Sequence, residues 1–255
     1  MKKIFTKKEP EKRLLIRIKR RAGRAKSGRI TVRHQGGGAK RLYRIIDFGQ
    51  KRKDEQAKVI AIEYDPYRTS YLILLEYPDG KKVYRLALDQ IKVGDSIVIA
   101  EKAENKIGNR MKLINIPLGV MVCNVEMIPE KGGKIVRSAG ASALILSHEG
   151  KYTHLKMPSK EIRKILSQCY ATIGQISNTE HRYKKLRKAG QTRLMGKRPQ
   201  VRGTVMSPRA HPHGGGEGKT PIGMPAPKTP WGKPARGVKT RRNKSTNKYI
   251  IQTRK

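Results

Sequence analysis

Short apolar runs occupy the middle of the chain, between residues 57 and 177. They are rich in Ile, Val, Leu and Tyr, and turn signals such as Pro78-Asp79-Gly80-Lys81 separate them, because Pro fixes φ and Gly accepts a positive φ. With no long amphipathic helix between them, this spacing predicts strands. The predicted strands are Ala57–Tyr64, Ser70–Tyr77, Lys82–Leu88, Ser96–Ala100, Gly119–Ile128, Ser142–His148, Lys151–Lys156, Glu161–Ser167 and Thr172–Ser177.

A polar stretch near residues 101–110 divides these strands into two groups of similar size. Closure of a small sheet removes aggregation-prone edges, so we expect two closed barrels rather than two flat sheets. The predicted fold class is mainly β, with basic and largely irregular N- and C-terminal extensions. The predicted divisions are an N-terminal extension at residues 1–24, barrels at residues 25–104 and 105–190, and a C-terminal extension at residues 191–255.

The two ends of the chain lack this alternating pattern. A short helix over Lys12–Arg21 would place three apolar side chains on one face, and Glu180–Ala189 fits a second, basic helix ended by Gly190. Residues 191–255 are rich in Gly and Pro and carry one acid, Glu217. Such a segment buries too little apolar surface to repay its ordering entropy. We therefore expect it to be disordered or to fold against a partner.

The charge of the chain points to a polyanionic partner. There are 59 Lys and Arg against 19 Asp and Glu, a net charge of +40. Residues 1–60 carry +16, residues 61–178 carry +5 and residues 179–255 carry +19. This distribution favours nucleic acid over an anionic membrane surface. No apolar run approaches the roughly 18 residues of a membrane span, and no basic amphipathic helix carries Trp or Phe on its apolar face.

Two cysteines, Cys123 and Cys169, lie 46 positions apart without the spacing of a zinc motif. We expect both to be reduced, small and buried, in a reducing compartment.

The first glycine run, Gly36-Gly37-Gly38, lies among cationic residues. Glycines allow the backbone to come within hydrogen-bonding distance of phosphates, and flanking cations neutralise them. The spacing is not that of a Walker loop. A flexible glycine loop is the alternative, and the surrounding charge favours phosphate contact. The cationic or polar neighbours are Arg33, His34, Lys40, Arg41 and Arg44.

A weaker signal of the same kind lies in the near-neutral middle of the chain. Lys131-Gly132-Gly133-Lys134 and Arg137-Ser138-Ala139-Gly140 combine glycines with cations. A loop of this composition is suited to approach a phosphate backbone. A plain surface loop is an alternative of nearly equal weight.

The second glycine run follows two histidines, in His211-Pro212-His213-Gly214-Gly215-Gly216. With Glu217, the histidines suggest a metal, but a stable zinc site needs four ligands and no further Cys, His or Asp lies nearby. A histidine general base is the other alternative, but no nucleophile and orienting acid accompany it, and Ala210 precedes His211. Hydrogen bonding to phosphate or a 2′-hydroxyl is favoured.

The single Trp of the chain, Trp231, lies in Thr229-Pro230-Trp231-Gly232-Lys233-Pro234. Two interpretations remain equally open: the indole stacks on a base or ribose, or it caps one of the barrels. The run Lys239–Lys244 is a further cationic segment, with a solvated tail or a nuclear-import-like patch as the alternative.

These motifs, in this order, resemble the bacterial form of ribosomal protein two of the large subunit. The resemblance covers about residues 20–255, and the motifs are long and specific. They are Gly28–His34 with its three glycines, Tyr43–Phe48, Ile62–Pro66, Asn115–Gly119, Lys131–Gly133, Arg137–Gly140, Ala171–Gln175, Arg198-Pro199, Val201–Gly203, His211–Gly218, Thr229–Pro234 and Lys239–Arg241.

The resemblance implies an oligonucleotide-binding-like barrel, then an SH3-like barrel, then extensions that thread into large-subunit ribosomal RNA. It implies a structural constituent of the large subunit, which supports assembly of the peptidyl transferase region and association of the two subunits. Further implied partners are neighbouring large-subunit proteins and the small subunit at a bridge. The chain departs from the family at Ala210, where an Asp is common, and at Leu194, where a Trp is usual. The first departure weakens acid-assisted chemistry at His211.

We therefore predict a non-enzymatic RNA-binding protein of bacterial, cytoplasmic ribosomes rather than organellar ones. No cofactor, small-molecule substrate or membrane partner is predicted, and any Mg²⁺ would be held by the RNA. No residue is predicted to be catalytic or to bind a metal. The predicted RNA-binding residues are Arg33, His34, Gly36, Gly37, Gly38, Lys40, Arg41, Arg44, Lys131, Lys134, Arg137, Arg198, Arg202, His211, His213, Gly214, Gly215, Gly216, Trp231, Lys233, Arg236, Arg241 and Arg242.

Overall fold

A computed structural model describes residues 5–7, 9–49 and 52–254 of the 255-residue chain. The outermost residues of both predicted extensions, 1–4 and 255, lie outside the described residues. The strands are β1 (Leu15–Ile16), β2 (Tyr43–Arg44), β3 (Gln56–Glu63), β4 (Leu72–Glu76), β5 (Lys82–Leu86), β6 (Ser96–Val98), β7 (Arg110–Lys112), β8 (Met121–Cys123), β9 (Ala143–Glu149), β10 (Tyr152–Lys156), β11 (Ile162–Leu166), β12 (Tyr170–Ile173) and β13 (Ile250–Gln252). Short 3-10 helices span Lys12–Leu14, Leu113–Asn115, Thr179–Tyr183, Gly203–Val205 and Ser245–Tyr249, and the one α-helix described is α1 (Ala189–Leu194).

The first large sheet has four antiparallel strands in the order β5-β4-β3-β6. Strand β3 alternates, so that Ala57, Val59, Ala61 and Glu63 are buried while the intervening side chains are more accessible. The central strand β4 buries four consecutive apolar side chains, Leu72–Leu75. The hairpin between β4 and β5 turns at Asp79-Gly80, as the sequence predicts.

The second large sheet has seven strands in the order β13-β11-β10-β9-β8-β12-β7. All described pairings within it are antiparallel. Strand β13 comes from the C-terminus and pairs with β11 at one edge. The sheets adjoin through an antiparallel bridge between Leu88 and Ile176 and a parallel bridge between Ile99 and Arg110, and their apolar side chains form one continuous core.

A buried ion pair lies within this core. The guanidinium of Arg110 donates to the Glu126 carboxylate at 2.8 Å and to the Asn124 carbonyl at 2.6 Å. Burial lowers the pKa of Arg110, and the adjacent Glu126 opposes that effect. A Cβ at Gly49 would meet the Arg110 side chain, so this position requires a glycine. The paired Arg110 side chain thus holds the loop at Gly49 against β7, the first strand of the second sheet along the chain.

Both cysteines are buried and free. Burial raises the pKa of Cys123 and of Cys169 to about 12. Each behaves as a small apolar core residue.

The mainly β prediction is confirmed, and each predicted strand overlaps a strand of the structure. The expectation of closed barrels is corrected: within the described residues, neither sheet closes on itself by strand pairing. The edge of the second sheet is covered by β13, a strand from the distant C-terminus. An edge can therefore be protected by strand addition as well as by closure.

Both predicted helices are also corrected. Lys12–Arg21 contains one 3-10 turn and then β1, because Ile16 pairs with Tyr43 and the Leu14 carbonyl accepts the amide of Ile45. The range Glu180–Ala189 is not one helix: the 3-10 segment Thr179–Tyr183 ends within it, and residues 184–188 are not helical. Helix α1 begins at Ala189, so Gly190 lies inside a helix and does not end one.

The chain forms two compact units, which we call unit 1 and unit 2. Unit 1 comprises the described residues of Met1–Lys19, Lys40–Lys185 and Thr246–Lys255, including both large sheets. Unit 2 comprises Arg20–Ala39 and Leu186–Ser245. Of the described residues, none belongs to a helix long and apolar enough to cross a membrane.

Candidate nucleic-acid interface

Unit 2 carries a large unbalanced positive charge. Its sequence holds 21 Lys and Arg residues and a single acid, Glu217. Glu217 is exposed and forms no ion pair with any residue the structure describes. By contrast, unit 1 contains ion pairs such as Arg52–Asp79 and Arg68–Asp65. The positive charge of unit 2 is thus not neutralised within the unit.

The structure brings the first glycine run against residues 194–199, in an arrangement we call the glycine junction. The Gly36 amide donates to the Gly196 carbonyl at 2.7 Å, and the Ala39 amide donates to the Leu194 carbonyl at 2.9 Å. In return, the Arg198 amide donates to the His34 carbonyl at 3.0 Å. These backbone bonds join two segments about 160 positions apart, and they order a stretch that carries little apolar surface.

Side chains reinforce the glycine junction. The Nδ1–H of His34 donates to the Pro199 carbonyl at 3.1 Å. The Arg20 guanidinium donates to the Gly37 carbonyl. Leu194 is exposed and contributes through its backbone carbonyl, so the junction does not require the Trp usual there in the family it resembles.

The fold explains the glycine at one position of the first run but not at another. Gly38 has φ +64°, and a Cβ there would meet the Leu194 carbonyl at 2.7 Å and the Gly196 amide nitrogen at 2.9 Å. Packing therefore requires a glycine at this position. Gly37 has no such φ, and its added Cβ would meet nothing within 4 Å. The fold does not explain the glycine at position 37, which lies exposed among cations.

Two buried histidines organise the second glycine run. His211 and His213 are 7% and 8% exposed, and their ring centroids lie 4.7 Å apart. The His213 amide donates to Nδ1 of His211 at 3.0 Å, and the Lys228 amide donates to Nε2 of His213 at 2.8 Å. A ring nitrogen that accepts a hydrogen bond carries no proton, so this geometry places the ring proton of His211 on Nε2 and that of His213 on Nδ1.

The loop around His211 is closely packed. A Cβ at Gly203 would lie 2.5 Å from the His211 ring, and a Cβ at Gly214 would lie 2.4 Å from the Ser207 carbonyl. Burial lowers the pKa of His211 below its ordinary 6.5, and the neighbouring His213 and Arg33 lower it further. Ala210 is exposed and supplies no acid. This arrangement suits a structural imidazole better than a general base.

The segment around Trp231 forms a tight hairpin. The Gly232 amide donates to the Thr229 carbonyl at 2.9 Å, and the Thr229 amide donates to the Lys233 carbonyl at 2.7 Å. Gly232 has φ +76°. This is the pattern of a three-residue hairpin loop, with a turn followed by a left-handed glycine. Trp231 lies at the tip and is 76% exposed.

The predicted basic loop of the middle region lies in unit 1. The amides of Gly133 and Lys134 donate to the carbonyls of Phe48 and Val125, and a Cβ at Gly133 would collide with Asn124. Lys131 and Lys134 are exposed. The glycine at position 133 is therefore explained by packing, while the two lysines face solvent.

Arg137 stacks on an aromatic ring beside this loop. Its guanidinium carbon lies 4.5 Å from the Phe48 ring centroid, and that of Arg68 lies 5.6 Å from the same ring. Burial lowers the pKa of Arg137, and the positive charge of Arg68 lowers it further. Among the described residues, its one hydrogen bond goes to the Gly133 carbonyl at 3.3 Å. Arg137 is therefore a half-buried cation without a carboxylate partner in the part of the chain described.

The stacking continues through neighbouring rings of unit 1. Arg68 also lies over Tyr43 and donates to its hydroxyl at 3.1 Å. Tyr43 packs edge-on against Tyr67, and Arg41 lies over the Tyr67 ring at 4.5 Å. Three guanidiniums are thus fixed by aromatic faces. Arg68 was not among the predicted site residues; an Arg two positions after Pro66, beside Tyr67, was the signal available in the sequence.

The other predicted residues are distributed over both units. Unit 2 holds Arg33, Arg198, Arg202, Lys233, Arg236, Arg241 and Arg242, all exposed, while Lys40, Arg41 and Arg44 lie in unit 1, Lys40 exposed and the other two partly buried. Arg41 and Arg44 each leave a buried Nε without a hydrogen-bond partner within the described ranges. No group of three or more His, Cys, Asp or Glu residues placed to hold a metal occurs there either.

Comparison with known families gives two matches along the chain. The model described as "Ribosomal Proteins L2, RNA binding N-terminal domain" matches residues 11–99. The model described as "Ribosomal Proteins L2, C-terminal domain" matches residues 106–232. The first covers the four-stranded sheet and the first glycine run. The second covers the second sheet up to β12, residues 194–199 of the glycine junction, the histidine pair and Trp231.

Proposed function

Because the chain belongs to the ribosomal protein L2 family and is therefore a structural RNA-binding constituent of the large ribosomal subunit, we propose that it helps to assemble the peptidyl transferase region and to join the two subunits. Its partners in this role are large-subunit ribosomal RNA, neighbouring large-subunit proteins and the small subunit at a bridge. The ribosomes are bacterial and cytoplasmic rather than organellar. The observation that carries the RNA role is the charge of unit 2, which has one acid to offset its cations.

The RNA-binding residues we propose in unit 2 lie on a backbone that is already ordered. Apart from the guanidinium of Arg20, which donates to the Gly37 carbonyl, the hydrogen bonds of the glycine junction and the histidine pair do not use cationic head groups. The exposed guanidiniums and ammoniums thus remain available to phosphate. In unit 2 the proposed contacts are Arg33, His34, Gly36, Gly37, Gly38, Arg198, Arg202, His211, His213, Gly214, Gly215, Gly216, Trp231, Lys233, Arg236, Arg241 and Arg242.

In unit 1 we propose Lys40, Arg41, Arg44, Lys131, Lys134 and Arg137, and we add Arg68. Stacking on Phe48, Tyr43 and Tyr67 fixes the planes of three of these guanidiniums before RNA arrives. A fixed plane lowers the entropy lost in a bidentate phosphate contact. Burial and the positive charge of Arg68 lower the pKa of Arg137, and an incoming phosphate would stabilise its charged form.

Peptide-bond formation is the work of the RNA in this proposal, and no residue of the chain is catalytic. Nδ1 of His211 accepts a backbone amide, and no acid among the residues that the structure describes bonds to the ring to orient it. The proposed role of His211 is to hold the second glycine run in place.

The domain divisions at residues 1–24, 25–104, 105–190 and 191–255 are also a proposal. The boundary near residue 104 is supported by the two family models, because the match to the first ends at residue 99 and the match to the second begins at residue 106.

The test is binding to folded large-subunit ribosomal RNA across a salt series, combined with sedimentation of the chain with ribosomal subunits. If six to ten phosphates are neutralised, affinity falls by about 10³- to 10⁵-fold between 50 and 200 mM salt. A flat salt response contradicts the electrostatic argument. Equal binding to unrelated RNA, without co-sedimentation, would instead identify a general nucleic-acid packaging protein.

A further inference from the structure

The hairpin that carries Trp231 is anchored at its base. Lys228 and Pro234 form an antiparallel bridge, and the Ala235 amide donates to the Pro227 carbonyl at 2.8 Å. The Lys228 amide also donates to Nε2 of the buried His213. These bonds tie the hairpin to the histidine pair, so the position of its tip is determined by a buried part of unit 2.

The tip itself is ordered. Gly232 adopts a left-handed φ of +76°, and the Lys233 amide donates to the Thr229 hydroxyl at 3.2 Å. Pro230 fixes its own φ at the first position of the turn. A side chain presented on such a turn loses little backbone entropy when it binds.

The indole has no partner within unit 2. At 76% exposure it covers no core, and no ring or cation stacks on it among the residues described. A large aromatic surface held rigidly in solvent, in a chain with one Trp and two Phe, is consistent with a binding role.

The surroundings of the indole indicate the chemistry of its partner. The hairpin carries Lys228 and Lys233, Arg236 follows it, and no acid occurs between Glu217 and the C-terminus. From Thr229 to Pro234 the other residues are Thr, Gly and Pro, so the hairpin presents no second large apolar side chain beside the indole, unlike the core of a protein-docking surface. Cations beside a free aromatic face are suited to an unpaired nucleotide, whose base stacks while its phosphate is neutralised.

We propose that Trp231 is a stacking platform for one unpaired base of large-subunit ribosomal RNA, positioned by the His213-anchored hairpin. The inference rests on the proposed function, and it adds a sequence-tolerant contact with a base to contacts that are otherwise with phosphate. Replacing the indole removes a stacking surface without changing charge. RNA affinity therefore falls while its salt dependence stays constant.

The experiment uses the full-length chain and the single Trp as the probe. Titration with folded large-subunit ribosomal RNA should quench the Trp fluorescence and shield the indole from acrylamide. Trp231→Leu should weaken binding by about 5- to 100-fold with an unchanged salt slope, and Trp231→Phe should retain most of the affinity. Lys233→Gln is the matched control, which should lower the salt slope by about one and leave the quenching intact.

Four results would overturn the inference. The first two are an indole that stays accessible to acrylamide in the RNA complex and a Trp231→Leu chain that binds like the wild type. The third is shielding that appears only in assembled subunits, which would identify a protein partner. The fourth is a lower melting temperature of Trp231→Leu, because a stacking platform contributes nothing to the free protein. Failure of the proposed function is distinct: the wild-type chain would then bind ribosomal RNA no more tightly than a control RNA of equal length, and the inference would fall with it.

Discussion

The backbone amide of His213 donates a hydrogen bond to Nδ1 of His211, and the two rings lie 4.7 Å apart. The bond assigns the proton of His211 to Nε2 and removes Nδ1 from any other chemistry. Since His213 in turn accepts the Lys228 amide, the pair links the second glycine run to the Trp231 hairpin. The histidines therefore connect two motifs that are 15 positions apart in sequence.

Replacing His211 by Gln separates a structural from a catalytic imidazole. An amide side chain reproduces the acceptor poorly and leaves the His213 amide, inside a packed loop, without a good partner, at a cost of about 1–3 kcal/mol. We expect a lower yield of assembled large subunits. Those that do assemble should form peptide bonds at the wild-type rate in single-turnover assays. A normal yield with a severely slowed chemical step would contradict this and favour catalysis by His211.

His211 also makes unit 2 sensitive to acid. The pKa of His211 is lowered by burial, His213 and Arg33, so its neutral form is favoured in the folded state. The free energy of unfolding therefore does not change with pH above the ordinary pKa of 6.5. It falls as the pH drops below 6.5, because the unfolded chain binds the proton at a higher pH than the folded chain does. We expect a lower protection factor for the His213 amide below about pH 6.5, once the intrinsic slowing of amide exchange at lower pH is corrected for. His211→Gln is the control that should lose this dependence, and titration of His211 above 6.5 would contradict the prediction.

The first glycine run allows packing and RNA approach to be tested separately. Gly38→Ala forces a Cβ onto the Leu194 carbonyl and a left-handed φ onto Ala, which alone costs about 1–2 kcal/mol. We expect it to lower the melting temperature. Gly37→Ala meets nothing within 4 Å, so the melting temperature should not change. If RNA backbone approaches this position, Gly37→Ala should nevertheless weaken RNA binding; unchanged affinity would leave the run a purely structural feature.

Gly203 provides a similar test of the His211 loop. A Cβ at this position would lie 2.5 Å from the imidazole, which is held by its hydrogen bond and cannot swing away. Overpacking of this kind costs about 1–3 kcal/mol, so Gly203→Ala should lower the melting temperature. Gly190→Ala is the matched control, because its Cβ meets nothing and the position is helical. Equal melting temperatures for the two variants would show that the loop is not tightly packed.

Much of this organisation is visible in the sequence, and the failures have identifiable causes. Period-two alternation and Pro-Asp-Gly turns locate the strands of both sheets, since these signals are local. The pairing of Gly36 with Gly196 is not visible, because a backbone junction between distant segments leaves no apolar pattern. Strand β13 is missed for the same reason: Ile250–Gln252 is too short to stand out from a cationic tail until β11 pairs with it.

In the candidate site, too, local sequence signals are visible in advance and tertiary contacts are not. The cations and both glycine runs follow from composition and spacing, while the reasons for individual glycines come from packing, as at Gly38 and Gly203. The predicted helix over Lys12–Arg21 fails because β1 can pair with β2, and tertiary pairing overrides a weak helical pattern. Arg68 is missed because its significance depends on Phe48, which is 20 positions away in sequence. The guanidiniums of Arg68 and Arg137 both stack on the Phe48 ring.

The stack of Arg137 on Phe48 predicts a difference between guanidinium and ammonium at the same charge. Arg137→Lys keeps the cation but loses the planar contact at 4.5 Å and the fixed plane for phosphate. Affinity for ribosomal RNA should fall by about tenfold, within the range of a desolvated cation–π contact, with an unchanged salt slope. Arg137→Gln should lower both the affinity and the slope, the slope by about one. Lys134→Arg, at an exposed neighbour, is the matched control and should bind like the wild type. An Arg137→Lys chain with wild-type affinity would show that only the charge at this position matters, and that the aromatic stack serves the fold alone.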